Sequence, residues 1–147
     1  MPTVPRGIRN NNPGNIDAGQ AWIGRAERAE MTQEQKAEKR FAIFKAPEWG
    51  IRAIAKLLQS YQTKHKLRTV RGIVNRWAPP VENNTSAYVA AVAKAVGVGP
   101  DEPVDVTDYD TAARLVDAII AHENAGYRYP SEVVRRGLAL AGVEERK

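Results

Sequence analysis

Apolar residues recur at steps of three and four positions through the last two thirds of the chain, with polar residues between them. This spacing is typical of amphipathic helices that bury one face. Five such helices are predicted, and each has capping or helix-ending residues at its boundaries. In chain order they cover about residues 48–64, 69–78, 85–96, 108–123 and 131–141. The pattern therefore predicts a mainly α domain.

The first part of the chain lacks this periodicity. Asn10–Asn15 combines several Asn residues with an adjacent Pro and Gly, which indicates a shaped loop. Residues 27–40 are polar and favour a short solvated helix or a mobile excursion. Only Arg40–Phe44 alternates in the manner of a strand, so we predict a short β-hairpin that pairs this segment with the N-terminal loop.

Composition fits one compact domain, because 147 residues with 43% hydrophobic and 27% charged content suit a single core. We expect one domain over residues 1–147, with a loop-rich substrate-binding and hairpin region at 1–47 and a helical core at 48–147. No apolar run approaches the roughly 18 residues of a membrane span. Residues 1–6 lead into polar sequence, so we expect neither a membrane span nor a signal peptide.

The available side chains limit the chemistry. Without cysteine the chain has no disulfide, no thiolate zinc site and no cysteine nucleophile, and two histidines are too few for a His-rich metal site. We therefore expect no metal and no other cofactor, and carboxylates remain as the catalytic candidates. The formal charge of +5 favours polyanionic partners such as nucleic acid, acidic membrane surfaces or the bacterial wall, without choosing among them.

The helix predicted at 108–123 ends on a carboxylate. Its apolar stripe continues onto Glu123, so the helix places an acid at the edge of the core. A carboxyl group that is partly removed from water holds its proton more readily, as a general acid must. The alternative is a surface Glu at a fraying helix end. His122 points about 100° away around the helix, so we predict no catalytic role for it. The stripe consists of Ala112, Leu115, Val116, Ile119 and Ile120.

Six sequence motifs are spread over nearly the whole chain. They are Arg6–Ile16, Trp22–Gly24, Phe41–Phe44, Gly50–Ala53, Trp77–Thr85 and His122–Asn124. With these motifs in this order, the chain resembles the phage structural protein P5-like family, whose small members are related to lysozyme-type wall hydrolases. Several motifs in one order make the resemblance specific.

A more distant resemblance concerns β-N-acetylglucosaminidases of the flagellar-muramidase type. These enzymes carry a helix that ends in Glu-Ser-Gly, then an Asn-x-x-Gly-Ile turn, a Trp-x-Gly step and a Phe-x-x-Tyr segment. This chain has four similar segments, but the segment that comes first in those enzymes comes last here. In the order of the enzyme motifs, the segments are Glu123–Gly126, Asn12–Ile16, Trp22–Gly24 and Phe41–Phe44. The resemblance implies a small, circularly permuted lysozyme-like helical domain. The departures are the extra Ala125 and the Phe at position 44.

The resemblance also implies a reaction, which is cleavage of the β-1,4 bonds between N-acetylmuramic acid and N-acetylglucosamine. Glu123 would be the general acid, and glycosidases add a second carboxylate as base or nucleophile. Glu82 is the candidate for that second group, and a sugar-binding group or a structural cap are its alternative roles. Without a second carboxylate, a lytic transglycosylase route is open, so muramidase, glucosaminidase and transglycosylase all remain hypotheses.

Sugar binding would use amides for hydrogen bonds and aromatic rings for stacking. For each Asn the alternative is a turn residue, and for Trp77 and Tyr88, which lie on apolar stripes, core packing is the stronger hypothesis. The predicted substrate-binding residues are Asn11, Asn12, Asn15, Trp22, Asn83, Asn84, Tyr127 and Tyr129.

Two other classes compete with the enzyme. One is a non-catalytic virion structural or wall-binding protein. The other is a basic module that binds nucleic acid through the helix at 69–77, but no aromatic platform lies between its basic residues, so no nucleic acid is expected. We expect a monomer that acts on peptidoglycan glycan strands, made in the bacterial cytoplasm and delivered to the wall by a holin, a virion or a secretion apparatus.

Overall fold

The computed structural model describes residues 4–81 and 83–145. The mainly α fold class is confirmed, because these residues contain seven α-helices and one 3₁₀ turn at Arg28–Glu30. The five helices predicted from periodicity are the last five. No helix in this part of the chain is long and apolar enough to cross a membrane. The helices are α1 Arg6–Arg9, α2 Gln33–Lys36, α3 Pro47–Thr63, α4 Val70–Trp77, α5 Thr85–Val96, α6 Tyr109–Glu123 and α7 Ser131–Leu140.

Side chains at the helix starts account for where the longer helices begin. Thr69, Asn84 and Asp108 each accept a hydrogen bond from a backbone N–H in the first turn of α4, α5 and α6. Pro47 occupies the first turn of α3, where its missing N–H leaves no bond unmade. Gly97 ends α5 with a φ of 85°, a conformation that favours glycine.

The core lies between the five longer helices. α3 packs against α6 and α7, while α5 packs against α4 and α6, so α6 is enclosed on two sides. The approach of α3 to α7 depends on Gly137, where a Cβ would lie 2.5 Å from Cγ2 of Ile51. The stripe predicted on α6 is buried from Ala112 to Ile120. Helix α6 therefore runs from the core to its edge and ends there on Glu123.

The N-terminal loop is held by a buried amide. Asn12 is 0% exposed, and its Nδ2 donates to the backbone oxygens of Ile16 and Ala42, both at 2.9 Å. Its Oδ1 accepts the Ile16 N–H at 2.9 Å, so one side chain satisfies three backbone groups. The loop packs on α3 at Gly50, where a Cβ would collide with the backbone oxygen of Asn11.

The predicted β-hairpin is not confirmed, because the described residues contain isolated bridges and no strand. The segment 40–45 changes partner too often to build a ladder. Its backbone N–H groups donate in turn to the oxygens of Ile16, Asn10 and Gly24. Continuous strands need consecutive pairs with one partner. The two antiparallel bridges in this region are Asp17–Phe41 and Arg25–Phe44.

Glu38 fastens the polar segment 27–40 to the N-terminus. Its side chain is 1% exposed and accepts bonds from Arg6 at 2.8 Å, Arg9 at 2.7 Å and Asn10 at 3.0 Å. The bond from Arg6 is the main reason that the pKa of Glu38 lies far below its usual range, and the N–H groups of Phe41 and Arg40 lower it further against the opposing effect of burial. The Glu38 carboxylate is therefore compensated by positive charge and by hydrogen-bond donors.

Candidate active site

A groove of about 630 Å³ opens where the N-terminal loop meets α3, α4 and the end of α6. It collects residues from distant parts of the sequence, and both polar and aromatic side chains line it. Such a mixture suits a ligand with hydroxyl groups and apolar faces. The described lining residues are Gly14, Asn15, Ile16, Asp17, Gly19, Gln20, Trp22, Arg40, Phe41, Leu57, Tyr61, Trp77, Ala78, Asn83 and Glu123.

Glu123 is half-buried in the wall of this groove, at the last residue of α6. Its Oε1 accepts a hydrogen bond from Nδ2 of Asn15 at 3.2 Å, and its Oε2 accepts one from the hydroxyl of Tyr88 at 3.0 Å. The two donors come from different elements, the N-terminal loop and α5. Within residues 4–81 and 83–145, Glu123 makes no ion pair. The carboxylate is thus positioned but not neutralised.

Tyr88 combines a core position with a polar contact. Its side chain is 1% exposed, as its place on the apolar stripe of α5 predicts, but its hydroxyl reaches the groove carboxylate. Burial, followed by the negative charge of Glu123, raises the pKa of Tyr88 far above its usual value, so the hydroxyl remains a donor. The exposed His122 stacks on the Tyr88 ring with centroids 3.8 Å apart.

Two backbone segments near the Glu123 carboxylate have left-handed conformations, one in the N-terminal loop and one directly after α6. Asn15 has a φ of 50°, a left-handed conformation that Asn tolerates better than most residues. After the acid, Ala125 has a φ of 54° and Gly126 a φ of 88°, and the Gly126 N–H closes the helix on the oxygen of Ala121 at 2.7 Å. Ala125 is strained there, since a Cβ disfavours this region. The turn after α6 contains Ala125 in this conformation, and Glu123 lines the groove.

Four aromatic side chains line the groove: Trp22, Phe41, Tyr61 and Trp77. Tyr61 and Trp77 meet edge to face with centroids 6.4 Å apart, which fixes both rings. Trp22 is half-buried, and its Nε1 has no partner among the described residues. Exposed Asn83 lies at the groove and donates to the Pro79 oxygen at 3.2 Å. Of the predicted site residues, the groove thus unites Glu123, Asn15, Trp22 and Asn83.

The other predicted binding residues lie outside the described groove lining. Asn12 and Asn11 hold the N-terminal loop, the latter through a bond from its Nδ2 to the Phe44 oxygen at 3.1 Å, and Asn84 caps α5. Tyr127 and Tyr129 meet edge to face at 5.1 Å, and burial raises the pKa of Tyr129. Glu82 lies outside the described residues, so its predicted role stays a prediction.

The groove also contains a charged pair that the sequence analysis did not single out. Arg40 Nε lies 3.1 Å from Oδ1 of Asp17, and the guanidinium lies 4.9 Å from the centroid of the Phe41 ring. Asp17 is thus a second carboxylate in the described lining. No spacing in the sequence links positions 17, 40 and 123. Only the fold of the N-terminal loop brings them together.

These features define a small helical domain with a positioned carboxylate in a groove lined by aromatic residues. No model of a known protein family matches the chain. It is 35% identical over 136 residues to protein P5 of Pseudoalteromonas phage PM2, and the alignment covers 90% of this chain and 79% of that protein. The chain belongs to the family of phage protein P5. This part of the resemblance drawn from the sequence motifs is confirmed.

Proposed function

We propose that the protein cleaves β-1,4 bonds in the glycan strands of peptidoglycan, with Glu123 as the general acid. The observation that carries the proposal is the placement of Glu123 in the groove wall between two neutral donors, Asn15 and Tyr88. A general acid must be oriented without being locked into an ion pair. The helical domain and its motif order support a circularly permuted lysozyme-like fold as the scaffold.

The first chemical step follows from that placement. The proton of the Glu123 carboxyl group moves to the glycosidic oxygen as the bond from that oxygen to C1 of the sugar breaks. The bonding electrons leave with the oxygen, and positive charge develops at C1 and the ring oxygen. The Glu123 carboxylate is left behind, and the Asn15 amide and the Tyr88 hydroxyl can donate to it.

Two routes complete the reaction. In a hydrolase, a second carboxylate activates water for attack on C1, and Asp17 in the groove and Glu82 are the candidates. In a lytic transglycosylase, the 6-hydroxyl of the muramic sugar attacks C1 and gives its proton to the Glu123 carboxylate. Both routes, and cleavage on either side of the muramic sugar, agree with one well-placed acid.

The walls of the groove suit an amino-sugar polymer. The half-buried Trp22 and Trp77 supply rings that can stack on the apolar faces of sugars, whereas Arg6 and Arg40 cover the Phe41 ring. Asn83 supplies an amide at the mouth, where it can exchange hydrogen bonds with N-acetyl groups. A volume of about 630 Å³ lies in the range of small-molecule sites, so a longer glycan strand would extend into solvent.

The proposal is tested by digesting purified peptidoglycan with the wild type, with Glu123→Gln and with Glu132→Gln, which changes an exposed surface carboxylate as a control. We expect soluble fragments from the wild type and the control, and at least a hundredfold less from Glu123→Gln. Mass spectrometry of the ends then separates the routes. Anhydromuramic ends identify a transglycosylase, and reducing ends identify a hydrolase and the bond cut.

Equal release by Glu123→Gln would contradict Glu123 as the acid. No release by any of the three proteins would contradict the enzyme and favour a non-catalytic wall-binding or virion role. Delivery to the wall by a holin, a virion or a secretion apparatus belongs to the same proposal. A nucleic-acid role is less favoured, because Arg71 on the basic face of α4 pairs with Asp101 at 2.8 Å.

A further inference from the structure

Three oxygen atoms converge on the Cα of Gly7, behind the groove carboxylate. Asn124 Oδ1, the backbone oxygen of Asn12 and Asn15 Oδ1 would lie 2.5, 2.8 and 2.9 Å from a Cβ placed on Gly7. Both side-chain oxygens are buried, and neither has a hydrogen-bond partner in the described structure. Buried acceptors without donors are rare and destabilising. The Asn12 oxygen already accepts the Asn15 N–H at 2.9 Å, so the two side-chain oxygens are the acceptors that lack a donor.

The amide of Asn124 cannot supply that donor. Its Nδ2 donates to the backbone oxygens of Pro13 at 2.7 Å and Ile120 at 2.9 Å. Exchanging its nitrogen and oxygen would break both bonds and bring oxygens together. Asn124 Oδ1 is therefore fixed as an acceptor, and like Asn15 Oδ1 it lies against Gly7.

The orientation of the Asn15 amide is not fixed in this way. Its side chain makes one hydrogen bond, from Nδ2 to Oε1 of Glu123 at 3.2 Å. A half-turn about its last side-chain bond exchanges nitrogen and oxygen at nearly the same positions. The Nδ2 then faces Asn124 Oδ1 and supplies the missing donor, while Asn15 Oδ1 faces Glu123 Oε1. Two oxygens remain face to face unless Glu123 carries a proton.

We infer that the Asn15 amide turns with the protonation state of Glu123, and that Asn124 accepts a hydrogen bond from it in the state in which Glu123 holds its proton. In that state Glu123 donates its carboxyl proton to Asn15 Oδ1, and Asn15 Nδ2 donates to Asn124 Oδ1. Once the proton has moved to the leaving oxygen, Asn15 turns back and donates Nδ2 to the new carboxylate. Asn15 and Asn124 are positioning residues; their catalytic role rests on the proposed function.

Other groups around Glu123 do not select between these states. The Tyr88 hydroxyl donates to the opposite oxygen, Oε2, in either state. His122 from α6 lies against the Tyr88 ring rather than against the carboxyl group. The charged groups in the described groove lining besides Glu123 are Asp17 and Arg40, which pair with each other at 3.1 Å. Of these groups, the Asn15 amide is the one whose orientation changes with the protonation of Glu123.

Nuclear Overhauser contacts from the Asn15 side-chain NH₂ in isotope-labelled protein test this inference without any substrate. At low pH we expect a contact to the Gly7 Hα protons, replaced by a contact to the Glu123 Hγ protons as the pH rises. Glu123→Gln keeps a permanent donor at this position, so its Gly7 contact should persist at every pH. A wild-type amide that faces Glu123 at all pH values would overturn the inference. This outcome would leave the proposed function untouched.

A kinetic test uses Asn15→Gly, which removes the amide and keeps a backbone that tolerates positive φ. We expect roughly a tenfold lower kcat at neutral pH with little change in KM, the size expected for losing one hydrogen bond to a charged group. Lys66→Gly is the matched control, because Lys66 also has positive φ, at 58°, but is exposed and lies outside the described groove lining. An Asn15→Gly variant with unchanged kcat would contradict the relay. If the protein does not cleave peptidoglycan, the nuclear Overhauser contacts of the Asn15 side chain alone test the inference.

Discussion

Two carboxylates in this molecule have opposite surroundings. Glu38 is 1% exposed and bound by Arg6 and Arg9, together with an amide and backbone N–H groups. Glu123 is half-buried, faces a groove and has two neutral partners, Asn15 and Tyr88. The first carboxylate is fully compensated and ties the N-terminal segments together. The second is oriented and left open to a ligand.

The contrast teaches how a structural carboxylate differs from a candidate acid. Ion pairing stabilises the charged form of a carboxyl group, so the group holds no proton that it could donate. Neutral donors fix the geometry of the group and add no positive charge. Glu38 should therefore control stability with little effect on chemistry, and Glu123 should do the reverse. The following predictions test that division.

The largest effect on stability is expected from Glu38→Gln. The change removes the negative charge of a carboxylate that accepts several hydrogen bonds, while Arg6 and Arg9 stay partly exposed to water, so the free energy of unfolding should fall by about 2 to 3 kcal/mol. Urea unfolding followed by circular dichroism measures it. Glu132→Gln, at an exposed position paired with Arg136 at 3.2 Å, is the control and should change stability by less than about 1 kcal/mol. Equal losses in the two variants would break the comparison.

The same pair should account for part of the acid sensitivity. Folding holds the pKa of Glu38 far below its ordinary value of about 4.3, so its stabilisation is present above that value and lost as the pH falls below it. The difference in unfolding free energy between wild type and Glu38→Gln should be constant from about pH 6 to 7 and shrink below about pH 4. A difference that is independent of pH would contradict this account.

An intermediate effect is expected from Gly7→Ala, which places a methyl group among the oxygens of Asn12, Asn15 and Asn124. Stability should fall by about 2 kcal/mol, as in other overpacked sites. Cleavage should fall as well, because Asn15 is displaced from Glu123. Gly19→Ala is the control for stability, because no atom lies within 4 Å of its new methyl group and the free energy of unfolding should stay unchanged.

The smallest effect is expected from Tyr88→Phe, which removes one hydroxyl from a side chain that otherwise keeps its packing. Loss of the 3.0 Å bond to Glu123 should lower stability by about 1 kcal/mol and kcat by roughly tenfold. Tyr127→Phe is the control, because Tyr127 is 38% exposed and lies outside the described groove lining. If both variants keep full activity, the tyrosine does not help to place the acid.

The helices were predictable because their signals are local. The stripe from Ala112 to Ile120, the caps Thr69 and Asp108 and the glycine after α5 act within one or two turns. The hairpin was not predictable in the same way. Residues 40–45 alternate like a strand, but their partners are spread over three segments, and only the folded loop determines which backbone groups are close.

The candidate site was also predictable only where its signals are local in the sequence. Glu123 followed from the end of a buried stripe, and Asn15 from a turn motif, but the bond between them spans 108 positions. Asn12 and Asn15 have similar local signals, yet one is buried in the loop and the other reaches the groove. Tyr88 sits on the core stripe of α5, and its polar function depends on where the neighbouring helix ends.

Measuring peptidoglycan cleavage and unfolding free energy together for wild type, Glu38→Gln and Glu123→Gln tests the central claim most directly. The account predicts that Glu123→Gln unfolds like the wild type but releases no fragments. It also predicts that Glu38→Gln is less stable but cleaves at the wild-type rate at temperatures where it is folded. Cleavage that survives Glu123→Gln, or that is lost only in Glu38→Gln, would contradict the account.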